Sequence, residues 1–375
     1  MIGGGTGSFI GPVHRIAAAM DGLVELSAGA FSSDPAVSSE TGRALGLDPE
    51  RVYDSWSEMI NRESALPSHL RPHIISVVTP NWLHHGPAVA ALDAGFHLVC
   101  DKPLSLSLNE ALDIEKRVVK NNLLFCITHN YTGYPMVKKA RDLVTDGSLG
   151  KIRKIAVEYF QGWLSAKVEE TGNRQAVWRA DPSKAGIAGC MADIGTHAFN
   201  LAEYITGLEV NSLFASLNRI VEGRVLDDDG SVILNFEGGA KGSLLASQVA
   251  TGEENNLRIK IYGTRGGLEW EQMNPNNLLV RWTDRPYEVY RAASGYLGAG
   301  SVAGLHTRLP AGHPEGFIEA FANLYRNFAI AVMAHEGGTR AEGKYDYPGI
   351  IAGVRGMRFL ESAVKSNETH SWVSL

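Results

Sequence analysis

Residues 1–11, MIGGGTGSFIG, decide how the first part of the chain folds. Gly3 and Gly5 have the spacing of a dinucleotide-binding loop, in which the backbone turns tightly and approaches a pyrophosphate. A helix directly after the loop would direct its positive N-terminus at that charge. The third glycine of the G-x-G-x-x-G pattern falls at Ser8, and Gly11 is available to take over its packing role. The loop alone is a weak signal, so its value depends on the strands and helices after it in the chain.

Apolar runs and helical patterns alternate over residues 1–130. A proline suits the first turn of two predicted helices, and Gly95 suits the end of a third. The alternation is typical of a parallel, doubly wound sheet, because parallel strands need helical crossovers. We predict helices at Pro12–Met20, Pro35–Leu45, Asn81–Ala94 and Leu108–Lys120, and strands at Val24–Phe31, Ile74–Thr79, Phe96–Cys100 and Leu123–Thr128.

The first strand is unusual, because only Met1 and Ile2 precede the glycine loop. Strands normally have about five to six residues, and this strand would be central in a doubly wound sheet. Either the strand is a stub or the natural chain starts upstream. We expect several more apolar residues before Met1 in the natural protein.

The pattern changes after about residue 150, where turn signals such as FEGGAKG (236–242) separate short strand-like runs. This succession is typical of a mostly antiparallel sheet. We predict a Rossmann dinucleotide-binding domain over 1–130 and an α+β domain over 131–375, built on a large, mostly antiparallel open sheet. Its predicted strands are Lys151–Phe160, Ser212–Val221, Ser231–Phe236, Gly242–Val249, Leu257–Tyr262 and Leu278–Trp282. The predicted helices Glu315–Ala334 and Tyr347–Val364 are candidates for packing back on the first domain.

The composition of the 375 residues is that of a globular protein, with 44% hydrophobic residues and a net charge of −6. This charge offers no general attraction to nucleic acid or to an anionic membrane. Cys100, Cys126 and Cys190 are too widely spaced for a disulfide framework, which favours buried thiols in a reducing compartment. No apolar run approaches the ~18–20 residues of a membrane span, and the N-terminus lacks the basic region of a signal peptide. We expect a cytoplasmic protein with no nucleic-acid or membrane partner.

The stretch VCDKPLSLSLNEA (99–111) puts Asp101 and Lys102 directly after a predicted buried strand. Ser107 and Glu110 form a capping box that opens the next helix. Ligands bind at the carboxyl ends of strands in open α/β sheets, so Asp101 and Lys102 are candidate site residues. A solvated loop pair is the alternative.

A second constellation lies in GIAGCMADIGTHAFNLAEYITG (186–207). Asp193, His197 and Asn200 recur at i, i+4 and i+7, so a helix would present all three on one face. A carboxylate one turn from a histidine can orient and polarise it for proton transfer. The alternative is a solvent-exposed polar face. We predict no metal site, because the adjacent His84 and His85 point different ways and residues 227–229, three aspartates, resemble a solvated turn.

Four motifs together resemble one family: IGGGTG (2–7), VVTPNWLHH (77–85), CDKP (100–103) and DIGTHAFN (193–200). In this order and spacing the chain is similar to the glucose–fructose oxidoreductase / inositol dehydrogenase / rhizopine-catabolism (Gfo/Idh/MocA) family. The stretches GGGTGSFIG, THNYTGYPMV and AGHPEG most resemble its levoglucosan and pyranose dehydrogenases.

The resemblance implies an enzyme that oxidises a ring secondary hydroxyl of a sugar, anhydrosugar or inositol to a ketone, by reversible hydride transfer. It places Lys102 beside the nicotinamide and the reacting hydroxyl, where the ammonium stabilises the developing alkoxide. His197 matches the general base, and Asp193 matches the acid that orients it. Asp101 stands where the family more often has glutamate. The family's glycine triplet before Asp193 is reduced here to Gly189.

The same resemblance implies further contacts, carried over position by position. The implied cofactor contacts are Gly3, Gly5, Gly7, Ser8, Phe9, Ile10, Ser32, Ser33, Thr79, Asn81, His84, Asp101, Lys102, Asn130, Trp178 and Arg179. The implied substrate contacts are Lys102, Tyr131, Trp163, Asp193, His197, Asn200, His306 and His313. Ordinary sheet packing is the alternative role for Trp163.

NAD is the expected cofactor, with NADP as the alternative. The chain offers Ser32, Ser33 and Asp34 after the predicted strand that ends at Phe31. A 2′-phosphate is bound best by a nearby arginine or lysine, and the next cation is Arg43. Because Asp34 would repel a phosphate, the sequence favours NAD.

Two other functions remain open on the same fold. One is a non-catalytic dinucleotide-sensing regulator, which would have no need of Lys102, Asp193 and His197 together. The other is a lyase or epimerase that uses bound NAD transiently, and net release of NADH would separate it from a dehydrogenase. We expect a small-molecule sugar or cyclitol as the partner, and a homo-oligomer, a dimer or tetramer, formed through the open sheet.

Overall fold

A computed structural model describes the backbone of all 375 residues and every side chain except that of Arg174. The chain divides into two units, each with its own sheet. The first unit comprises Met1–Asn130 and Phe321–Val354, and the second comprises Tyr131–Ala320 and Arg355–Leu375. The predicted fold class is confirmed, since a parallel Rossmann-type sheet precedes a large, mostly antiparallel one.

The sheet of the first unit contains three parallel strands, β1 (Ile74–Val77), β2 (His97–Cys100) and β3 (Phe125–Ile127), in that order. Ile2 extends it through parallel bridges to Val77 and Ala30. The predicted strand Val24–Phe31 is wrong as a full strand, because its pairing is confined to isolated bridges at Gly29 and Ala30. Backbone hydrogen bonds still hold this segment, since the N–H of Ala30 donates to the Met1 carbonyl at 3.0 Å and the N–H of Gly3 donates to the Ala30 carbonyl at 2.9 Å.

Two of the predicted helices of the first unit begin at a side chain that accepts a backbone N–H group. Asp34 accepts from the N–H of Ala36, and Ser107 accepts from that of Glu110, at 2.9 and 3.3 Å. The predicted capping residue Ser107 is therefore confirmed. The predicted helix from Asn81 opens as a 3₁₀ turn. The helices are α1 (Ile10–Ala19), α2 (Pro35–Ala44), α3 (Trp56–Ser64), α4 (His85–Asp93) and α5 (Leu108–Lys120), of which α3 was not predicted.

The second unit is built on a nine-stranded sheet in the order β11-β10-β9-β8-β4-β7-β6-β5-β12. β4 and β7 are parallel, and the other neighbours are antiparallel. The strands are β4 (Ile152–Phe160), β5 (Val210–Asn218), β6 (Asp229–Phe236), β7 (Lys241–Ser247), β8 (Asn256–Gly263), β9 (Gly266–Glu271), β10 (Asn277–Trp282), β11 (Glu288–Arg291) and β12 (Val373–Ser374).

One face of this sheet is buried and the other is open. Along β6, Val232 and Leu234 are buried, whereas Ile233 between them is 53% exposed. Helices cover the buried face, as expected for an antiparallel sheet with one solvated side. The remaining helices are α6 (Pro135–Thr145), α7 (Arg174–Arg179), α8 (Pro182–Ala185), α9 (Thr196–Thr206), α10 (Val302–Leu305), α11 (Phe317–Glu336) and α12 (Ile350–Thr369).

Two predictions on cysteine and membrane chemistry can be compared with the described residues. Cys100, Cys126 and Cys190 are buried thiols, as predicted, and they are not joined in disulfides. Within the part of the chain that the structure describes, no helix is long and apolar enough to cross a membrane.

Candidate active site

The glycine loop of the first unit is shaped by positive φ angles and by close backbone approach. Gly3 and Gly7 have φ of +82° and +84°, which side-chain-bearing residues rarely adopt. A Cβ at Gly5 would lie 2.9 Å from the carbonyl oxygen of Phe31, and one at Gly11 would overlap the backbone of Gly4. Gly11 therefore performs the close-packing role that the sequence assigned to it.

The loop fits a dinucleotide on its own geometry. A Cβ at Gly7 would meet no atom within 4 Å, so the chain has room there for a ligand to approach the backbone. The adjacent Ser8 Oγ is buried and has no hydrogen-bond partner. Helix α1 starts two residues later, at Ile10, with no acidic residue in its first turn. A pyrophosphate would satisfy the hydroxyl and lie near the helix N-terminus.

The end of β2 organises Asp101 and Lys102. The Asp101 carboxylate accepts the N–H of Lys102 at 2.9 Å and the hydroxyl of Thr128 at 2.6 Å. Thr128 follows β3, so the carboxylate joins the ends of two neighbouring strands. The Lys102–Pro103 peptide bond is cis. The predicted pair is thus part of an ordered strand-end arrangement, and the Lys102 side chain is half-buried.

His84 joins the segment that follows β1 to the segment that follows β2. One ring nitrogen lies 2.7 Å from the carbonyl oxygen of Thr79, and the other lies 2.9 Å from that of Pro103. The imidazole is buried, and burial lowers its pKa, while Asp101 and the two carbonyls act in the opposite direction. His84 therefore braces the segments that carry Thr79 and Lys102.

Two further buried histidines lie in the first unit. Burial, followed by the charge of Lys102, lowers the pKa of His129 to about 3. Burial lowers that of His14 to about 4. A ring nitrogen of His14 lies 2.6 Å from the Tyr325 hydroxyl, and this hydroxyl lies 2.9 Å from that of Ser76. Both imidazoles are therefore neutral at physiological pH, and the charge of Lys102 acts on the uncharged ring of His129.

In the second unit, three N–H groups from two side chains hold the Asp193 carboxylate. The Arg179 guanidinium donates from Nε to Oδ2 at 3.0 Å and from an Nη to Oδ1 at 3.4 Å. The Gln248 amide donates to Oδ2 at 2.9 Å. Arg179 is itself held by the carbonyl and side-chain oxygens of Gln175, at 3.0 and 2.8 Å. The carboxylate is therefore fixed in orientation by charge-assisted bonds.

A polar network continues from Gln248 towards two tyrosines. Gln161 accepts from Gln248 at 3.3 Å and donates to Asn255 at 2.8 Å. Asn255 accepts the Tyr159 hydroxyl at 2.6 Å and donates to the Tyr131 hydroxyl at 3.2 Å. The two hydroxyls lie 2.5 Å apart, and burial raises the pKa of both tyrosines. The network is neutral and fully polar, which suits contact with hydroxyl groups.

His197 lies against this tyrosine pair. Its ring centroid is 4.9 Å from that of Tyr131 in an edge-to-face arrangement and 6.3 Å from that of Tyr159. His197 is 6% exposed, so the alternative of a solvent-exposed polar face does not apply to it. The two tyrosine rings pack against the imidazole and limit its rotation.

The helix that carries these residues is not regular, which corrects the prediction of a single α-helical face. Met191–Gly195 form a π turn, in which the N–H of Thr196 donates to the carbonyl of Met191. A Cβ at Gly195 would overlap the Met191 sulfur, so the packing of this methionine occupies the inside of the turn. Asp193 therefore lies in the π turn, whereas His197 and Asn200 lie in α9. Such turns occur frequently at functional sites.

The remaining predicted substrate residues differ in their surroundings. The Oδ1 of Asn200 is buried with no hydrogen-bond partner, and Trp163 donates to Gln161 at 2.9 Å. The rings of Trp178 and Trp163 lie 4.1 and 5.9 Å from the Arg179 guanidinium carbon. His306 is fully buried and donates to the Val302 carbonyl at 2.6 Å, whereas His313 is exposed.

The aspartates of residues 227–229 do not form the predicted solvated turn. Asp227 and Asp228 are 8% and 2% exposed, because each carboxylate accepts two backbone N–H groups. Among the described residues, no group of three or more histidine, cysteine, aspartate or glutamate side chains has the geometry to hold a metal ion.

Sequence reasoning missed Gln161, Gln248, Asn255 and Tyr159. One signal was the position of Gln161 and Gln248, each of which directly follows a strand. These two strands, β4 and β7, are parallel neighbours in the structure. Polar residues at the ends of parallel strands converge on one edge of a sheet. The pairing of β4 with β7 was not evident from the sequence.

A glycine loop on a parallel sheet and an ordered Asp/His helix on a second sheet define a class, the dinucleotide-dependent oxidoreductases. A family model described as "Oxidoreductase family, NAD-binding Rossmann fold" matches residues 1–140, and one described as "GFO/IDH/MocA C-terminal domain" matches residues 137–269. The chain belongs to the GFO/IDH/MocA family of NAD-binding oxidoreductases.

Relatives cover the whole chain. The protein is 32% identical over 378 residues to "Uncharacterized oxidoreductase YfiI" of Bacillus subtilis (strain 168), spanning 100% of this chain and 95% of YfiI. It is 27% identical over 310 residues to levoglucosan dehydrogenase of Pseudarthrobacter phenanthrenivorans, spanning 75% of each. It is similar to an inositol dehydrogenase homolog from Azotobacter vinelandii crystallised with NADH and myo-inositol. That match has a TM-score of 0.91 and 37% identity and covers 100% and 96% of the two chains.

The buried histidines predict acid sensitivity of the fold. The pKa of His14 is lowered to about 4 from an unfolded value of about 6.5, so below pH 6.5 the unfolded state binds a proton that the folded state excludes. The free energy of unfolding should fall as the pH is lowered from 6.5 towards 4, by up to ~1.4 kcal/mol per pH unit for this group. Urea unfolding at several pH values measures the slope.

His14→Gln is the test variant, because glutamine keeps a hydrogen bond to Tyr325 and does not titrate. It should reduce the slope by about one proton, or ~1.4 kcal/mol per pH unit. The exposed His69 provides a matched control, and His69→Gln should retain the wild-type slope. An unchanged slope in His14→Gln would contradict the assignment of the acid sensitivity to the buried imidazole of His14.

Proposed function

We propose that the protein is a dehydrogenase that oxidises a secondary ring hydroxyl of a neutral sugar, anhydrosugar or cyclitol to a ketone. The observation that carries this proposal is the ordered pair in the second unit, where Asp193 is fixed by Arg179 and Gln248 and His197 follows one turn later. Bound NAD supplies the hydride acceptor for the carbon that carries the hydroxyl.

His197 is the proposed base. Its imidazole nitrogen accepts the hydroxyl proton, and the edge-to-face contact with Tyr131 keeps the ring from rotating away. Asp193 remains ionised between its donors, so its negative charge favours the imidazolium that forms. The second unit therefore performs the proton transfer.

Lys102 is the proposed donor to the oxygen that becomes negative as its proton leaves. Asp101 orders the backbone at this position by accepting the Lys102 N–H, and the neutral His129 adds no competing charge. An ammonium held in a partly buried strand-end position stabilises a developing alkoxide strongly. The glycine loop, Thr79, Asn81, His84 and Asn130 are the proposed contacts to the dinucleotide.

The polar network supports a polyhydroxylated substrate. Amides and hydroxyls of Gln161, Asn255 and Tyr131 match the alternating donors and acceptors of a sugar or cyclitol, and the Trp163 ring offers a face for C–H groups. The relatives provide independent support, because one is a levoglucosan dehydrogenase and another was crystallised with NADH and myo-inositol.

The test is a substrate panel of inositols, glucose epimers and anhydrosugars, with NADH formation followed by absorbance. At least one member should give net NADH. On that substrate, Lys102→Met should lower kcat by about 10²–10³-fold, because it removes a donor to the developing oxyanion. His197→Ala should lower the rate by a similar factor and remove the acid limb of the pH–rate profile. Affinity for NAD should change by no more than a few fold.

Lys116→Met, on the exposed side of α5, is the control for loss of a lysine. Near-normal turnover in Lys102→Met, or an unchanged acid limb in His197→Ala, would refute the assigned roles. Turnover of substrate without net NADH would instead indicate a lyase or epimerase.

We further propose a preference for NAD over NADP. Asp34 accepts the N–H of Ala36 at the start of α2, and Ser32 accepts the N–H of Asp34 at 3.0 Å, so this turn presents a carboxylate to the adenosine end. The value of kcat/KM should be higher with NAD on the same substrate. Asp34→Ser should narrow the difference in kcat/KM between the two cofactors, while Asp48→Ser, which removes the same kind of capping carboxylate from a separate 3₁₀ turn, should not. An equal or higher value with NADP would overturn the proposal.

We also propose that the open face of the nine-stranded sheet binds a second copy of the chain. The face presents the exposed side chains of Ile233, Tyr262 and Val289. It also carries Glu269, whose carboxylate pairs with Arg258 and Arg281, each at 2.7 Å. Apolar groups beside paired charges suit a self-complementary interface. Light scattering should give a dimer or tetramer, which Ile233→Glu dissociates and Ile351→Glu, on the exposed side of α12, leaves intact. If light scattering shows that the wild-type protein is a monomer, the proposed interface is wrong.

A further inference from the structure

Asp227 lies at the start of the π turn that carries Asp193, although 34 residues separate them in sequence. Its carboxylate accepts the N–H of Gly189 and the N–H of Met191, each at 2.7 Å. Its backbone carbonyl accepts the N–H of Cys190 at 2.8 Å. One residue therefore satisfies three consecutive backbone donors at the beginning of this helix.

These donors need acceptors from elsewhere in the fold. The first N–H groups of a helix have no partner within the helix, and a buried N–H without an acceptor is costly. In helices α2 and α5, Asp34 and Ser107 provide the acceptor from the adjacent sequence. Cys190, which precedes the π turn, provides no side-chain cap. The acceptor comes from Asp227 instead, through tertiary structure.

The close approach also explains the glycine at position 189. A Cβ on Gly189 would overlap the carbonyl oxygen of Asp227. The carbonyl of Gly189 in turn accepts the N–H of Asp193 at 2.9 Å. A short, stiff path therefore connects Asp227 with the backbone of Asp193.

We propose that Asp227 is a positioning residue. By anchoring the start of the π turn, it sets the location of Asp193, which lies in the turn, and of His197, which follows it. Its effect on turnover rests on the proposed dehydrogenase function, whereas its effect on the turn does not. A shift of the anchored residues moves the Asp193 carboxylate relative to its donors Arg179 and Gln248. Small displacements of this kind change catalytic rates strongly.

The neighbouring Asp228 provides a matched control. It is also buried, and its carboxylate also accepts two backbone N–H groups, those of Ile220 and Val221, at 2.7 and 2.9 Å. It pairs in addition with the Arg224 guanidinium at 3.1 Å, so its change to asparagine removes at least as many contacts. Those groups belong to the loop after β5 and not to the π turn. Asp227→Asn and Asp228→Asn therefore make the same chemical change at adjacent positions with different targets.

Hydrogen exchange measured by mass spectrometry tests the anchor without any substrate. Asp227→Asn should speed exchange at least tenfold in residues 189–195 and leave residues 218–224 near wild type, because an amide cannot accept both N–H groups. Asp228→Asn should show the reverse pattern. Gly189→Ala adds a methyl group that would overlap the Asp227 carbonyl, so it should reproduce the Asp227→Asn pattern. It serves as a second variant if Asp227→Asn folds poorly.

Kinetics then test the link to Asp193 and His197. On a substrate from the panel, Asp227→Asn should lower kcat at least tenfold with KM for NAD unchanged, and Asp228→Asn should not. Combining Asp227→Asn with His197→Ala should cost little more than His197→Ala alone, since both act through one group. Equal exchange patterns in the two asparagine variants, or full kcat with a loosened turn, would overturn the proposal. If the panel gives no turnover, the dehydrogenase function fails while the exchange result still decides the anchor.

Discussion

The Asp193 carboxylate is a charge in a half-buried position, and such a charge is costly unless hydrogen-bond donors surround it. Arg179 and Gln248 supply these donors, and each is held in turn, the first by Gln175 and the second by contact with Gln161. Segments that are far apart in sequence are thereby tied to one carboxylate. Removing a single donor would leave the charge poorly compensated, so the arrangement favours one geometry over loosely packed alternatives.

In the first unit, too, one carboxylate holds polar groups from separate segments of the chain. Asp101 collects the N–H of Lys102 and the hydroxyl of Thr128, while His84 spans two carbonyls from neighbouring strand ends. Burial keeps the surrounding histidines neutral, as the lowered pKa of His129 shows. In each unit, a carboxylate held by hydrogen bonds is close in sequence to a residue with a proposed chemical role. Asp101 precedes Lys102 in the first unit, and Asp193 precedes His197 by one turn in the second.

Much of this arrangement could be predicted from local patterns. The glycine loop, the Ser107 cap and the placement of Asp193 one turn before His197 depend on spacings of a few residues, and similar motifs in a known family marked Lys102. The residues that were missed, Gln161, Gln248 and Asn255, are single polar side chains with no local pattern. They meet because β4 and β7 are parallel neighbours and because β8 lies beside β4, which a linear reading of isolated strands does not reveal.

The sequence by itself determined the alternation of strands and helices, the position of the dinucleotide loop and the order of the two sheets. These follow from hydrophobic periodicity and glycine conformational freedom, which act over short distances. The tertiary structure alone decided that Val24–Phe31 forms only bridges, that Asp193 lies in a π turn and that Asp227 is buried. The reason is the same in each case. Backbone N–H groups and buried carboxylates need hydrogen-bond partners, and here those partners come from distant parts of the chain.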